Sequence, residues 1–362
     1  MRVPATLADE MLDPQVRERI MKSLHHQEGD RVPVWDSLNN GAVLDHFAPG
    51  ERDLRVAAAK ACRALGIDMI YRVDDPRALP EQGTRTAQKG WETVVAGETT
   101  WVAERPFKTV EDLKKAEFPS FSEEQLREEG VPGFVRAMEI YAPETLLVPG
   151  GWCGFHWAYD YIGLALFSIA IYDAPWEIER IMGQFADNAH TKAKVFAEKR
   201  LAPLYFIPDD VAYKGALLFS PSFLRKTLIP ILRRVTQPLK EAGIKVIFHS
   251  DGYVTPLVDD LIEAGIAGLH PIEPLAGNDI GLLKRRYGDR LVLVGNVDSS
   301  QLLPFGTREE IREGVKACLR AASPGGGHFI GSSTQILPST PLENVITFYD
   351  AIREFGGYPV GV

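Results

Sequence analysis

The tract Phe248-His-Ser-Asp-Gly252 places an imidazole and a carboxylate two residues apart, directly after the apolar run Lys245-Val-Ile-Phe248. In a strand, residues i and i+2 project to the same side, so His249 and Asp251 can share a metal ion or a proton. The plain alternative is a structural histidine bonded to a neighbouring carboxylate. Glu273, in His270-Pro-Ile-Glu-Pro274, follows the next apolar run and completes a candidate metal set of His249, Asp251 and Glu273. One imidazole with two hard oxygens specifies no single metal. Asp209 and Asp210 follow Leu204-Tyr-Phe-Ile-Pro208 and stand too far ahead of Ser220-Pro221 to cap the helix expected there, so both are candidate catalytic carboxylates.

These residues need elements to hold them. From Arg31 onward, apolar runs of strand length alternate with helical patterns, the signature of βα units around a parallel sheet. Eight strands are expected: 32–36, 69–73, 145–149, 204–208, 245–249, 268–272, 291–295 and 328–331. Eight strands each followed by a helix favour an α/β fold of the single (β/α)8 TIM-barrel type over two doubly wound domains, with 1–362 as one domain. An amphipathic helix precedes it within residues 1–30, signalled by Asp13-Pro14 and by Met11, Val16, Ile20 and Leu24. An insertion at 76–144 separates the second and third strands. Its Thr84–Val102 stretch alternates polar and β-branched or aromatic residues as a hairpin or small meander, and helices are expected near 110–116 and 123–141.

In barrels the active site is built at the carboxyl ends of the strands. Candidate substrate-binding residues there are Asp36, Asn39, Trp152, Cys153, Phe155, Tyr161, Asn296 and Ser332. Helix capping is an equal reading for Asp298, Ser332 and Ser333. The crowded aromatics of Gly150–Tyr161 suit either a pocket wall or core. Ser323-Pro-Gly-Gly-Gly327 resembles a phosphate cradle but precedes the eighth strand, so it reads as a turn on the opposite face. His25, His26 and His46 read as solvated surface.

The chain has 362 residues, 45% of them hydrophobic, and a formal charge of -9, with no long basic run, which disfavours nucleic-acid and anionic-membrane partners. Three scattered cysteines make no disulfide framework and suit a reducing, cytoplasmic setting. No apolar stretch has the length of a membrane span or a signal peptide. Trp91, Val94 and Trp101 on the expected hairpin leave open a homodimer contact or packing on the barrel.

The chain resembles the uroporphyrinogen decarboxylase superfamily, which includes porphyrinogen decarboxylases and corrinoid-linked methyltransferases. The resemblance rests on Arg31-Val-Pro-Val34, on Asp209-Asp-Val-Ala-Tyr-Lys214 running into Ser220-Pro-Ser-Phe-Leu224, and on Phe248-His-Ser-Asp-Gly252. It also rests on Gly295-Asn-Val-Asp298 and Pro324-Gly-Gly-Gly-His-Phe-Ile-Gly-Ser-Ser333. True decarboxylases carry an Arg-rich stretch after the first strand, where this chain reads Trp35-Asp-Ser-Leu-Asn-Asn-Gly41 without arginine. Their catalytic Asp would fall at Asp75. Zinc-dependent thiol methyltransferases carry His-x-Cys at the fifth strand and Cys at the eighth. Here His249 is kept, while Asp251 and Ser332 or Ser333 replace the cysteines.

The resemblance therefore implies a methyltransferase of the O-demethylating kind, moving a methyl group from a small methoxylated or methylated compound to the cobalt of a separate corrinoid protein. Zinc is the metal it implies, although oxygen ligands replace the thiolates. A decarboxylase (carboxy-lyase) acting through Asp75 and a non-catalytic barrel that binds a ligand or a corrinoid protein are the alternatives.

Overall fold

The computed structural model describes residues 5–74, 79–97, 99–118 and 120–362. Eight parallel strands stand where the apolar runs place them: β1 (Trp35–Leu38), β2 (Met69–Val73), β3 (Leu146–Leu147), β4 (Leu204–Pro208), β5 (Lys245–His249), β6 (Gly268–His270), β7 (Val292–Val294) and β8 (His328–Phe329). They form two parallel sheets, β1-β2-β3 and β4-β5-β6-β7-β8. Isolated parallel bridges join the sheet edges, Val34 to Ile330 at one seam and Gly150 to Phe206 at the other. At the first seam a Cβ on Gly331 would lie 1.9 Å from the Trp35 carbonyl oxygen, so the backbones meet only because no side chain intervenes. β1 is shorter than its apolar run at the N-terminal side. Pro33 has no N–H to donate, which leaves Val34 as a lone bridge before the ladder begins.

One face of the strands buries Trp35, Met69, Leu146, Leu204, Phe206, Ile247, Val292, Val294 and Phe329 as one cluster with Ile20 and Leu24. The opposite face packs beneath helices. Ile20 and Leu24 belong to the helix Pro14–Leu24, which Asp13 caps by accepting from the Gln15 and Val16 amides, with proline at its first turn. Buried Arg19 on the same helix pairs with Asp68 at 2.6 Å. Asp68 also takes Arg31 at 2.9 Å and the Val34 amide at 2.7 Å. This network ties the N-terminal segment to β1 and to the start of β2, at the end remote from the strand carboxyl termini.

Within the insertion, Arg85–Gln88, Trp91–Ala96 and Thr99–Glu104 form an antiparallel meander, followed by helices Val110–Leu113 and Val131–Tyr141. Trp91 packs on Tyr161 at 4.5 Å between ring centroids, whereas Trp101 is exposed. The Ser323–Gly327 stretch is a turn ahead of β8, and His25 closes the helix Pro14–Leu24. Among the described residues, no helix is long and apolar enough to cross a membrane.

Candidate active site at the ends of β4 and β5

Register sets the site. His249, the last residue of β5, lies level with Pro208 of β4 and with His270 of β6. The residues that follow these strand ends therefore meet. His249 Nε2 stands 3.7 Å from Asp210 Oδ1 and 3.9 Å from Asp251 Oδ1, and one donor atom from each of the three lies within 4.8 Å of the others. On its other side His249 Nδ1 shares a 2.7 Å hydrogen bond with His270 Nδ1. Asp210 Oδ2 pairs with His156 Nδ1 at 3.2 Å, while Asp210 Oδ1 accepts from the Asp251 amide.

Burial and charge divide the protons within this cluster. For Asp210, burial alone would raise the pKa, but the His156 hydrogen bond and the His249 charge override it and hold it low. Asp251 is pushed up to about 6 by burial, against the attraction of His249 and with the repulsion of Asp210 and Glu273. His156 resists its own burial because Asp210 faces it, and its pKa rises. His270, buried and next to His249, is driven well below the ordinary histidine value and stays neutral. A neutral His270 leaves His249 two roles. With a proton on Nδ1, its Nε2 lone pair faces the two carboxylates and can hold a cation. With both nitrogens protonated, the same Nε2 becomes an acid.

The two adjacent aspartates do different work. Asp209 is fully buried and accepts from the amides of Cys153 and Gly154, both at 2.9 Å, and from the His156 amide. It thereby caps the helix Phe155–Ile162 and fixes His156 beside Asp210. Burial pushes the Asp209 carboxyl up despite these donors.

The candidate metal set changes membership: Asp210, not Glu273, completes it with His249 and Asp251. Glu273 instead accepts from the Gly252 amide at 3.0 Å, which bends its carboxylate onto the backbone. Two residues to which the sequence reading gave no role adjoin the cluster, His156 and His270. The tract Gly150–Tyr161 hid the first among aromatics, and the second needs the β5–β6 register to be found.

Asp75 lies outside the described residues. Asp36 is buried and accepts from the Ser332 hydroxyl at 2.7 Å and the Tyr349 hydroxyl at 3.0 Å, and burial pushes it up to about 6. Ser332 therefore bonds across the β8–β1 seam and caps no helix. Asp298 does cap, accepting from the Gln301 and Leu302 amides. Asn39 keeps a buried Oδ1 without a partner among the described residues. Asn296 donates through Nδ2 to the Ile272 carbonyl. Cys153 is buried against Asp209. Phe155, expected as a pocket wall, is fully buried and packs edge-on to Phe219 at 5.5 Å, because its helix turns that side inward. Trp152 packs edge-on to His156 at 5.2 Å, while Tyr161 packs against Trp91 and Phe118.

Asp251 Oδ1 is buried and has no hydrogen-bond partner among the described residues. A cation would satisfy it together with His249 Nε2 and Asp210. The 3.7 and 3.9 Å separations are near the ~3.4 Å between ligand atoms that tetrahedral coordination at about 2.1 Å requires. Cys62, Cys153 and Cys318 are buried free thiols and none joins the cluster. The donor set fits a divalent ion bound by nitrogen and oxygen, zinc included, and does not fit a thiolate-bound one.

The family model for uroporphyrinogen decarboxylase (URO-D) matches residues 93–355. A uroporphyrinogen decarboxylase of Alkalilimnicola ehrlichii is 24% identical over 93% of this chain and 93% of that protein. A methylcobamide:CoM methyltransferase, MtaA, of Methanosarcina barkeri is 28% identical over 50% of this chain and 51% of that protein. Uroporphyrinogen decarboxylase of Coxiella burnetii is 39% identical, but the chain spans only about a fifth (21%) of its length. Among solved structures, a methyltransferase from Methanosarcina mazei superposes with a TM-score of 0.68 at 23% identity, covering 94% of this chain and 98% of that one. The fold is thus an α/β fold close to that methyltransferase's.

Proposed function

The chain belongs to the uroporphyrinogen decarboxylase (URO-D) family, and from that premise we propose that it is a corrinoid-dependent methyltransferase. It moves a methyl group from a small methoxylated or methylated compound to the cobalt of a corrinoid carried by a partner protein. The reading takes the chain as one closed (β/α)8 barrel, supported by the bridges at both sheet seams. The observation that carries the activity is the Asp210–His249–Asp251 cluster at the carboxyl ends of β4 and β5. The likeness to a methylcobamide:CoM methyltransferase supports the corrinoid side of the reaction.

Ether cleavage leaves an alkoxide or phenoxide, a poor leaving group unless its developing charge is neutralised. A divalent ion held by His249, Asp210 and Asp251 would supply Lewis acidity at that oxygen. With no ion on His249 Nε2, the chain's own groups supply a proton instead. His249 Nε2–H can donate to the departing oxygen, and Asp251, with its raised pKa, can carry the proton to it. General acid catalysis of this kind is worth about 10² to 10⁴ in rate. His156 holds Asp210 ionised, and neutral His270 fixes the ring of His249 through the 2.7 Å bond. Asp209 keeps His156 in place.

The test pairs elemental analysis of the purified protein with single-turnover methyl transfer to reduced cobalamin, followed by the change in corrinoid absorbance. The expected result is one divalent metal per chain, lost in His249→Ala, and methylcobalamin formed from at least one methoxylated donor. A decarboxylase of a substrate smaller than a porphyrinogen is the second reading, favoured by the relative that spans 93% of the chain. Turnover by decarboxylation that Asp75→Asn abolishes, with no methylcobalamin from any donor, would replace the first reading with the second.

A further inference from the structure

The helix Leu164–Asp173 (Leu-Ala-Leu-Phe-Ser-Ile-Ala-Ile-Tyr-Asp) is apolar on every side, a composition suited to a helix with protein all around it. Ser168 turns its hydroxyl back onto the Leu164 carbonyl at 2.8 Å. One side is covered. Phe167 and Ala170 are buried, with the Phe167 ring 6.2 Å from that of Phe155, 6.3 Å from Tyr159 and 5.5 Å from Phe219. The other side is bare. Leu164 (43% exposed), Ala165, Ile169 (53%) and Tyr172 (81%) recur at helical spacing and share the face opposite Phe167. Trp176, just beyond the break at Ala174, is 76% exposed.

Area and charge indicate what covers it. At about 150 to 250 Å² for a full aromatic side chain, Tyr172 and Trp176 alone leave roughly 300 Å² bare. Leu164, Ala165 and Ile169 bring the strip to roughly half of the about 800 Å² that each partner gives to a standard interface. The chain has a formal charge of -9, so two copies repel unless they meet where charge is absent, and no charged residue occurs from Tyr161 to Tyr172. Asp173 lies at the negative end of its own helix dipole, with no basic residue in that turn. A second copy packed antiparallel brings each Asp173 to the N-terminal end of the other helix, where a carboxylate is favourable.

We propose that this face joins two copies of the chain in a two-fold dimer, with the helices Leu164–Asp173 packed antiparallel and Ile169 near the axis. In such an isologous contact the same patch serves both copies, so one apolar strip is enough. The dimer does not rest on the methyltransferase reading. It lies behind the candidate site, because Phe167 packs on Tyr159, whose hydroxyl donates to the Asp210 carbonyl at 2.9 Å.

Sedimentation velocity over about 1 to 100 µM protein tests this, comparing the wild type with Ile169→Glu, Tyr172→Glu, Asp173→Lys and Trp101→Glu, each fold checked by circular dichroism. The wild type is expected to sediment as a dimer at the upper end of that range. Ile169→Glu and Tyr172→Glu should each weaken the dimer about thirtyfold or more, because a carboxylate then replaces a buried apolar contact. Asp173→Lys should weaken it several-fold at low salt and less at high salt. Trp101→Glu, exposed on the meander, should leave it unchanged. A wild type that stays monomeric throughout would overturn the proposal and give the face to a different protein. A dimer that Trp101→Glu breaks and Ile169→Glu spares would overturn it as well. Equal association of Asp173→Lys and the wild type would refute the antiparallel order.

Discussion

His328 gives a pH dependence of stability that can be worked from the structure. The residue is fully buried; its Nε2–H donates to the Gly295 carbonyl at 2.7 Å and its Nδ1 accepts from the Ser323 hydroxyl at 2.8 Å. Burial lowers its pKa from 6.5 to about 4. The folded value is depressed, so between about pH 6.5 and 4 the unfolded chain binds a proton that the folded chain does not, and stability falls as pH falls through that window. At about 1.4 kcal/mol per pKa unit, the full loss is roughly 3 kcal/mol, of which about 2.5 kcal/mol has appeared by about pH 4.5. The perturbation is His328→Gln, whose side-chain amide can replace the donor to Gly295 and does not titrate. The assay is urea unfolding of both proteins from about pH 7.5 to 4.5. Buried Asp36, raised to about 6, acts with the opposite sign, its contribution falling as pH rises from 3.8. It is present in both proteins and cancels in their difference. A constant offset between the two is expected above about pH 7, closing by roughly 2.5 kcal/mol towards pH 4.5. Curves that stay parallel across this range would refute the assignment of a neutral, trapped imidazole.

Other consequences are equally direct. Asp68→Ala leaves buried Arg19 only its Asp30 pair and strips Arg31 and the Val34 amide of their acceptor, and should destabilise by about 3 kcal/mol in chemical denaturation; a loss below about 1 kcal/mol would show the network to be ornamental. Gly331→Ala pushes a methyl into the Trp35 carbonyl at the β8–β1 seam, and the variant is expected in the insoluble fraction on expression or with a sharply lowered Tm. Asp209→Ala removes the acceptor for three backbone amides, two of them buried, and should lower stability by roughly 2 to 3 kcal/mol, with the His156 ring resonances shifted in NMR spectra. Asp210→Asn and Asp251→Asn should each reduce bound divalent metal as His249→Ala does, whereas Glu273→Gln should retain it, measured by elemental analysis.

Much of this architecture is legible in the chain because its signals are local. Apolar runs bounded by glycine and proline place the eight strands, and Asp13-Pro14 marks its helix by the chemistry of a cap. The His249–Asp251 spacing announces a shared side because strand alternation is a property of one segment. What the sequence could not disclose depends on register between segments. Nothing in His270-Pro271 says that its ring meets His249, since that follows from which residues of β5 and β6 lie level. Asp210 displaced Glu273 from the cluster for the same reason.

The side-by-side aspartates after β4 look like duplication and are the reverse of it. One anchors three backbone amides in the interior and the other faces imidazoles at the mouth, because consecutive residues leave a strand in opposite directions. Neither can stand in for the other after a mutation, so the doublet gives the lineage no reserve copy. A single-residue insertion or deletion in this turn would exchange the scaffold carboxylate and the one that faces the imidazoles in one step, so length at this point matters as much as chemical identity.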